Sequence, residues 1–182
     1  MRRVAAVSEL KEHRDVVFDA VSRIRYPDWF DVERASVDDV IRVMEEEVLQ
    51  WATVVYLCAK DRNDFFILHG VTGGWSLVQV LRHVFTDATA AFQCVQYFLA
   101  SLFYVYVAQG SPEIDTSKLE LPEPTISLVE LKREAMARDF DEHVFKLVQV
   151  CCSVCEKFPQ DQNKVKVNKL ACRHCIDEPF FH

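Results

Sequence analysis

The sequence predicts an all-α protein, an irregular multi-helix array of six or seven helices. Three observations carry that expectation. Apolar residues recur at helical spacing through several long segments. Only four Gly and six Pro occur in 182 residues, too few for a turn-rich β-sandwich. Half the residues are hydrophobic, and thirteen are Phe, so there is enough apolar surface for a folded core. The length fits a single helical domain, residues 1–182, with 159–182 open to being a separate tail.

The first helix is expected over residues 8–24, with Ser8 as its cap and Val16, Val17, Ala20, Val21 and Ile24 as its apolar stripe. Tyr26-Pro27-Asp28-Trp29 breaks it. A second helix begins at the cap Ser36, with Asp38 and Asp39 in a first turn that favours negative charge. Its apolar positions are Val37, Val40, Ile41, Met44, Val48, Trp51, Val54 and Val55, and it runs to about Cys58.

Residues 65–68 are apolar but too few to separate helix from strand by periodicity. His69-Gly70-Val71-Thr72-Gly73-Gly74-Trp75 follows, and three of the four glycines fall within five of those positions. Such glycines let the backbone approach a ligand or another helix closely. Spacing alone favours a tight corner between helices, with His69 a satisfied polar residue there. A further helical run covers 76–84.

From Ala88 to Ala108 there are 21 residues without a charge, long enough to span a bilayer. Gln93, Gln96 and Ser101 interrupt the run, and Arg82 and Lys118 are too few and too distant to orient a span. A buried core helix, with no membrane partner, is the expectation. Gly110-Ser111-Pro112 stops it, opening a loop over 110–125 that contains Pro112, Pro122 and Pro124. Helices over 127–138 and 141–158, a turn at Phe158-Pro159-Gln160-Asp161 and a short helix over 165–175 complete the array.

The formal charge of −7 repels phosphate backbones, so no nucleic-acid partner is expected; the one basic stretch, Lys164 to Lys169, is thin. The N-terminus does not read as a secretory signal. An odd number of cysteines, seven, then points to reduced thiols and a cytoplasmic location.

Candidate chemistry concentrates in three places. The glycine segment after His69 fits neither a phosphate loop nor a dinucleotide fingerprint. In Asp141-Glu142-His143-Val144-Phe145-Lys146, His143 and Lys146 share a helix face, and Asp139 lies four residues before the histidine. A histidine beside a carboxylate suits a metal ligand with its orienting partner; a solvated helix start, where acids are favoured anyway, explains the same pattern. The third place is Cys152-x2-Cys155 followed by Cys172-x2-Cys175, the spacing of a four-cysteine zinc site, with Cys151, His174 and His182 as spare ligands. Against zinc, Cys151, Cys152 and Cys155 continue the apolar stripe of Val144, Leu147 and Val148, where Cys acts as a small hydrophobe. No nucleophile signature is present.

Phe65-Phe66-Ile67-Leu68-His69-Gly70-Val71-Thr72-Gly73-Gly74-Trp75 resembles the His-Gly-Val-Thr segment of questin oxidase-like proteins. Asp141-Glu142-His143-Val144-Phe145-Lys146-Leu147-Val148 resembles their Asp-x-His-x-x-Lys helix, and the apolar helix ending in Ala108-Gln109-Gly110 is of their kind. The resemblance covers about residues 35–155. It implies a helical oxidoreductase acting on polyketide-derived aromatic compounds by Baeyer–Villiger-type or ring-cleaving oxygenation, with NADPH as reductant. It also implies a non-haem iron held by His69, His143 and Lys146, the lysine fitting best as a carbamate. Phe66 and Trp75 would line the pocket for a small aromatic substrate. Members of the family are longer, with further histidines in an N-terminal half. The chain is therefore expected to correspond to their C-terminal half, truncated and inactive unless the N-terminal half or a partner chain completes the site. Two other functions stay open: a non-enzymatic helical interaction module, and a zinc-stabilised binding domain.

Overall fold

The computed structural model describes residues 14–60, 63–137, 142–178 and 180–181, the last two as backbone only. Among the described residues it is all-α apart from one pair of two-residue strands and an isolated antiparallel bridge between Ala59 and Ile114. The helices are α1 (Arg14–Ser22), α2 (Val37–Val43), α3 (Leu49–Cys58), α4 (Phe65–Val84), α5 (Ala88–Ala108), α6 (Leu128–Ala137), α7 (Glu142–Lys157) and α8 (Gln162–Asp177). A π-turn, Met44–Val48, joins α2 to α3 without a break, and a 3-10 turn covers Thr116–Glu120. The strands β1 (Asn63–Asp64) and β2 (Phe180–Phe181) pair in parallel. The expected Ser8 cap lies outside the described residues, as do Asp139, Asp141 and His182.

The chain divides into two compact units: Met1–Leu49 with Gly74–Pro112, and Gln50–Gly73 with Glu113–His182. In the first, α5 packs against α1 and α2. Its core includes Val17, Val21, Val40, Val43 and Val95. The Tyr-Pro-Asp-Trp break closes over an aromatic cluster, where Tyr26 lies 5.3 Å and Phe30 5.5 Å from Phe92, centroid to centroid. Ser36 and Asp39 form a capping box on α2: Asp39 N–H donates to Ser36 Oγ at 3.2 Å, and Ser36 N–H to Asp39 Oδ2 at 2.9 Å. The π-turn carries Glu45, buried and paired with Arg82.

The expected corner at the glycines is a correction. Residues 65–84 form one helix, with Gly70, Gly73 and Gly74 inside it. Close packing explains Gly74: a methyl group there would meet Leu49, Phe98 and Met44 at 3.2–3.3 Å. Glycine weakens a helix by about 1 kcal/mol relative to Ala, and at this position the close approach of three side chains offsets that. The helix also decides residues 65–68, which periodicity left open.

Residues 88–108 are helical to the residue, capped by Asp87, whose Oδ1 accepts from Ala90 N–H at 2.7 Å. The helix is long and apolar enough to cross a membrane by length and composition. Ala91, Phe92, Val95, Leu99 and Ala100 are buried, while Tyr97 (61% exposed), Phe103 and Val107 face solvent. The core-helix expectation thus describes one face of it. At its end Gly110 and Ser111 take positive φ (84° and 48°). Gly110 N–H donates to Val107 O at 2.8 Å and Ser111 N–H to Tyr106 O at 3.1 Å, a Schellman arrangement that satisfies the last carbonyls.

In the second unit α7 and α8 pack face to face, with α6 against both. The four-residue turn at Phe158–Asp161 folds the chain back, and Asp161 caps α8 by accepting from Lys164 N–H at 3.0 Å. Val144, Leu147, Val148, Cys151, Cys152, Val154 and Cys155 of α7 are buried, as are Val167, Leu170, Ala171, Cys172 and Cys175 of α8. Around that core Lys132–Glu156 (2.6 Å), Lys169–Glu123 (2.6 Å) and Arg173–Glu134 (2.5 Å) tie the elements together. Within 159–182, the stretch left open as a separate tail, Gln162–Asp177 form α8.

Candidate functional site

The site begins with what holds the start of α4. Tyr56 O–H donates to Asn63 Oδ1 at 2.6 Å, and Asn63 Nδ2 donates to Glu178 O at 2.7 Å. Next to it, β1 pairs with β2, Asn63 opposite Phe180 and Asp64 opposite Phe181. The buried Asp64 then caps the helix: its Oδ1 accepts from Phe66 N–H at 2.9 Å and Ile67 N–H at 3.0 Å. This fixes the first turn of α4, which supplies Phe65, and His69 one turn on.

His69 is exposed, and its Nδ1 lies 2.7 Å from Phe65 O. A carbonyl only accepts, so Nδ1 carries a proton, and in the neutral form of the ring the lone pair is then on Nε2. His143, half-buried in the first turn of α7, brings its ring to 5.0 Å from that of His69. The Phe65 ring stands edge-on to both, 4.8 Å from His69 and 4.5 Å from His143. Three rings thus make a small triangle.

The structure therefore brings His69 and His143 together. Lys146, one turn beyond His143, is exposed and its Nζ lies 2.9 Å from Glu142 Oε1. An ammonium has no lone pair to give, so ligation by Lys146 requires it to leave Glu142 and lose its proton or become a carbamate. Phe66, partly exposed, stacks edge-on to Phe65 at 5.4 Å. Trp75, half-buried, lies on the stretch of α4 that belongs to the first unit.

With metal–nitrogen bonds of about 2.1 Å, two imidazoles on adjacent positions of one ion have centroids roughly 5 Å apart. The histidine pair fits that spacing as two of an ion's ligands. Hydrogen bonding of one ring nitrogen to a carbonyl is the usual support for such a ligand. Among the described residues no group of three or more His, Cys, Asp or Glu is placed to hold a metal.

The cysteine set has another character. All seven cysteines are free, and Cys151, Cys152, Cys155, Cys172 and Cys175 are buried. The Cys152 thiol donates to Leu128 O at 3.9 Å and shares a hydrogen-bonding contact with Cys172. The contact with Cys172 and burial push the Cys152 thiol far up, and burial raises Cys155 to about 12. Cys175 is likewise raised to about 12 by burial, against the pull of its hydrogen bond with Tyr56. In the metal-free chain burial thus holds Cys152, Cys155, Cys172 and Cys175 as thiols, and a zinc ion there would have to displace their protons.

Sequence reading missed Phe65, Asp64 and Glu142. Asp64, directly before an apolar run, carries a recognisable cap signal; the place of Phe65 between two histidines from separate helices leaves no local signal.

A family model described as questin oxidase-like matches residues 5–151. The chain belongs to the questin oxidase-like family. No curated protein and no solved structure matches it. The match takes in His69, His143 and Lys146 and ends before Cys152, so the candidate zinc ligands fall beyond it. Membership supports an oxidoreductase-like function at the level of the family.

Proposed function

We propose that this questin oxidase-like chain forms part of a cytoplasmic non-haem iron oxygenase for small polyketide-derived aromatic substrates, with NADPH as reductant. The observation that carries the proposal is the juxtaposition of His69 and His143, from two separate helices, at 5.0 Å. When bound, iron supplies the electron-transfer chemistry that activates dioxygen for a Baeyer–Villiger-type or ring-cleaving insertion.

The chain's own residues do the rest. His69 holds its proton on Nδ1 against Phe65 O, which directs Nε2 to the donor role. His143 gives the second nitrogen. Lys146, once released from Glu142, would complete the set as a carbamate by losing protons to solvent and adding carbon dioxide. Phe66, apolar and partly exposed beside the triangle, offers a flat surface to an aromatic ring.

Elemental analysis of protein carrying no metal-binding tag tests this. Iron close to one equivalent is expected, and His69→Ala or His143→Ala should lower occupancy by at least about tenfold. Unchanged iron in His143→Ala sinks the assignment.

A second reading, a helical interaction module, draws on the exposed apolar positions of α5, Tyr97, Phe103 and Val107. Metal-free protein that gains a partner through those positions would favour it.

A further inference from the structure

Phe65 stands out because nothing about helix formation asks for a phenylalanine at the first residue of α4. A half-buried aromatic there is dispensable to a helix already capped by the Asp64 carboxylate. Yet its ring contacts three others: Phe66 at 5.4 Å, His69 at 4.8 Å and His143 at 4.5 Å. Its carbonyl also receives the Nδ1 proton of His69 at 2.7 Å. Phe65 and His69 are four residues apart, so helix geometry stacks their side chains on one face. The contact to His143 comes from another helix.

We propose that Phe65 is the positioning residue of the histidine pair: its carbonyl fixes the His69 tautomer and its ring sets the spacing of the two imidazoles. The proposal rests on the reading of His69 and His143 as metal donors. An imidazole rotates about two side-chain bonds, and a ligand pair free to rotate must be ordered when the ion binds. A ring wedged edge-on against both removes that freedom beforehand, which raises affinity without touching the ion. Edge-to-face contact is geometrically specific in a way that aliphatic contact is not. A leucine of similar bulk would fill the space and leave the imidazoles unaligned.

The distinguishing experiment compares wild type, Phe65→Leu and Phe65→Tyr, each read in two ways. Proton NMR of the histidine rings reports the Phe65 ring current, and long-range nitrogen correlation reports the His69 tautomer. Titration with Co²⁺, followed by its visible absorption, reports the donor pair. In wild type the His69 and His143 ring protons should be shifted away from free-histidine positions, with His69 in the Nδ1–H form. Phe65→Leu should collapse those shifts and weaken Co²⁺ binding by about tenfold, while Phe65→Tyr restores both.

Unchanged Co²⁺ affinity in folded Phe65→Leu overturns the proposal, because the ring shifts vanish with the ring whether or not it positions the histidines. If Phe65→Leu does not fold, Phe65→Tyr decides: wild-type shifts and affinity support it, and their loss in a folded protein overturns it. Wild type that shows the shifts but binds no Co²⁺ defeats the iron reading and reduces the role of Phe65 to ordering two histidines. Wild type without the shifts defeats the positioning role whatever the metal does.

Discussion

Two helices, α5 and α7, show how differently apolar sequence is used in this protein. α5 has 21 residues and no charge, yet only Ala91, Phe92, Val95, Leu99 and Ala100 are fully buried. α7 has 16 residues, carries Glu142, Lys146, Glu156 and Lys157, and buries eight. The difference lies in arrangement. Along α7 the apolar groups gather on one side, and α6 and α8 both cover that side. Around α5 they are spread over the whole circumference, while α1 and α2 cover part of it. Hydrophobic stabilisation follows the area removed from water, so position outweighs total content.

The strongest test of that contrast is a truncation in each helix. Leu147→Ala, at a fully buried position, should cost about 2–5 kcal/mol in denaturant unfolding. Phe103→Ala, at a site 39% exposed, should cost clearly less, under about 2 kcal/mol. Equal losses would show that α5 is buried in solution by something else.

A gentler probe uses cysteine in both helices. Cys152→Ser puts a stronger hydrogen-bonding group into the thiol core and should cost about 1–3 kcal/mol. Cys94→Ser, at a partly exposed position, should be close to neutral by the same measurement.

Alkaline titration sharpens the comparison further. Burial lifts Cys155 and Cys175 from the ordinary 9.0 to about 12. Their folded values lie above the unfolded ones, so the stability they represent is complete below pH 9 and lost as pH rises from 9 towards 12. Tyr26, in the unit of α5, is raised by burial from 10.0 to about 12, so its loss begins about a unit later. Melting under reducing conditions should show Tm starting to fall near pH 9. A curve flat from pH 8 to 11 would contradict it. At the α2 cap Ser36→Ala should cost about 1 kcal/mol, visible as a modest fall in Tm.

Much of the helix order is legible in the sequence because caps and stops are local. Gly110 ends α5 where a stop is expected, and Ser36 opens α2 as expected, with Asp38 and Asp39 in its first turn. The helix through Gly70, Gly73 and Gly74 was not legible. Glycine counts against a helix in any local rule, and what rescues Gly74 is the approach of Leu49, Phe98 and Met44, residues far along the chain. The zinc-like cysteine spacing has a second local explanation for a related reason. Two helices that each carry a buried Cys one turn from another give the same intervals as a metal site. The histidine pair belongs to the third kind. Neither His69 nor His143 signals the other by spacing, and the family resemblance named them together before geometry did.

The pairing of Phe180–Phe181 with Asn63–Asp64 has a practical side for anyone handling the protein. The hydrogen bond from Asn63 to Glu178 and the strand pair beside it tether the C-terminal end of the chain to the residues that start α4. Phe65 and His69 follow within a turn or so. A purification tag fused at that end, or a few residues trimmed by a carboxypeptidase, would therefore act beside the histidines. An oligohistidine tag there would bring competing imidazoles to the very place where metal content is to be measured. Fusions belong at the other terminus, and intact mass belongs beside every metal determination.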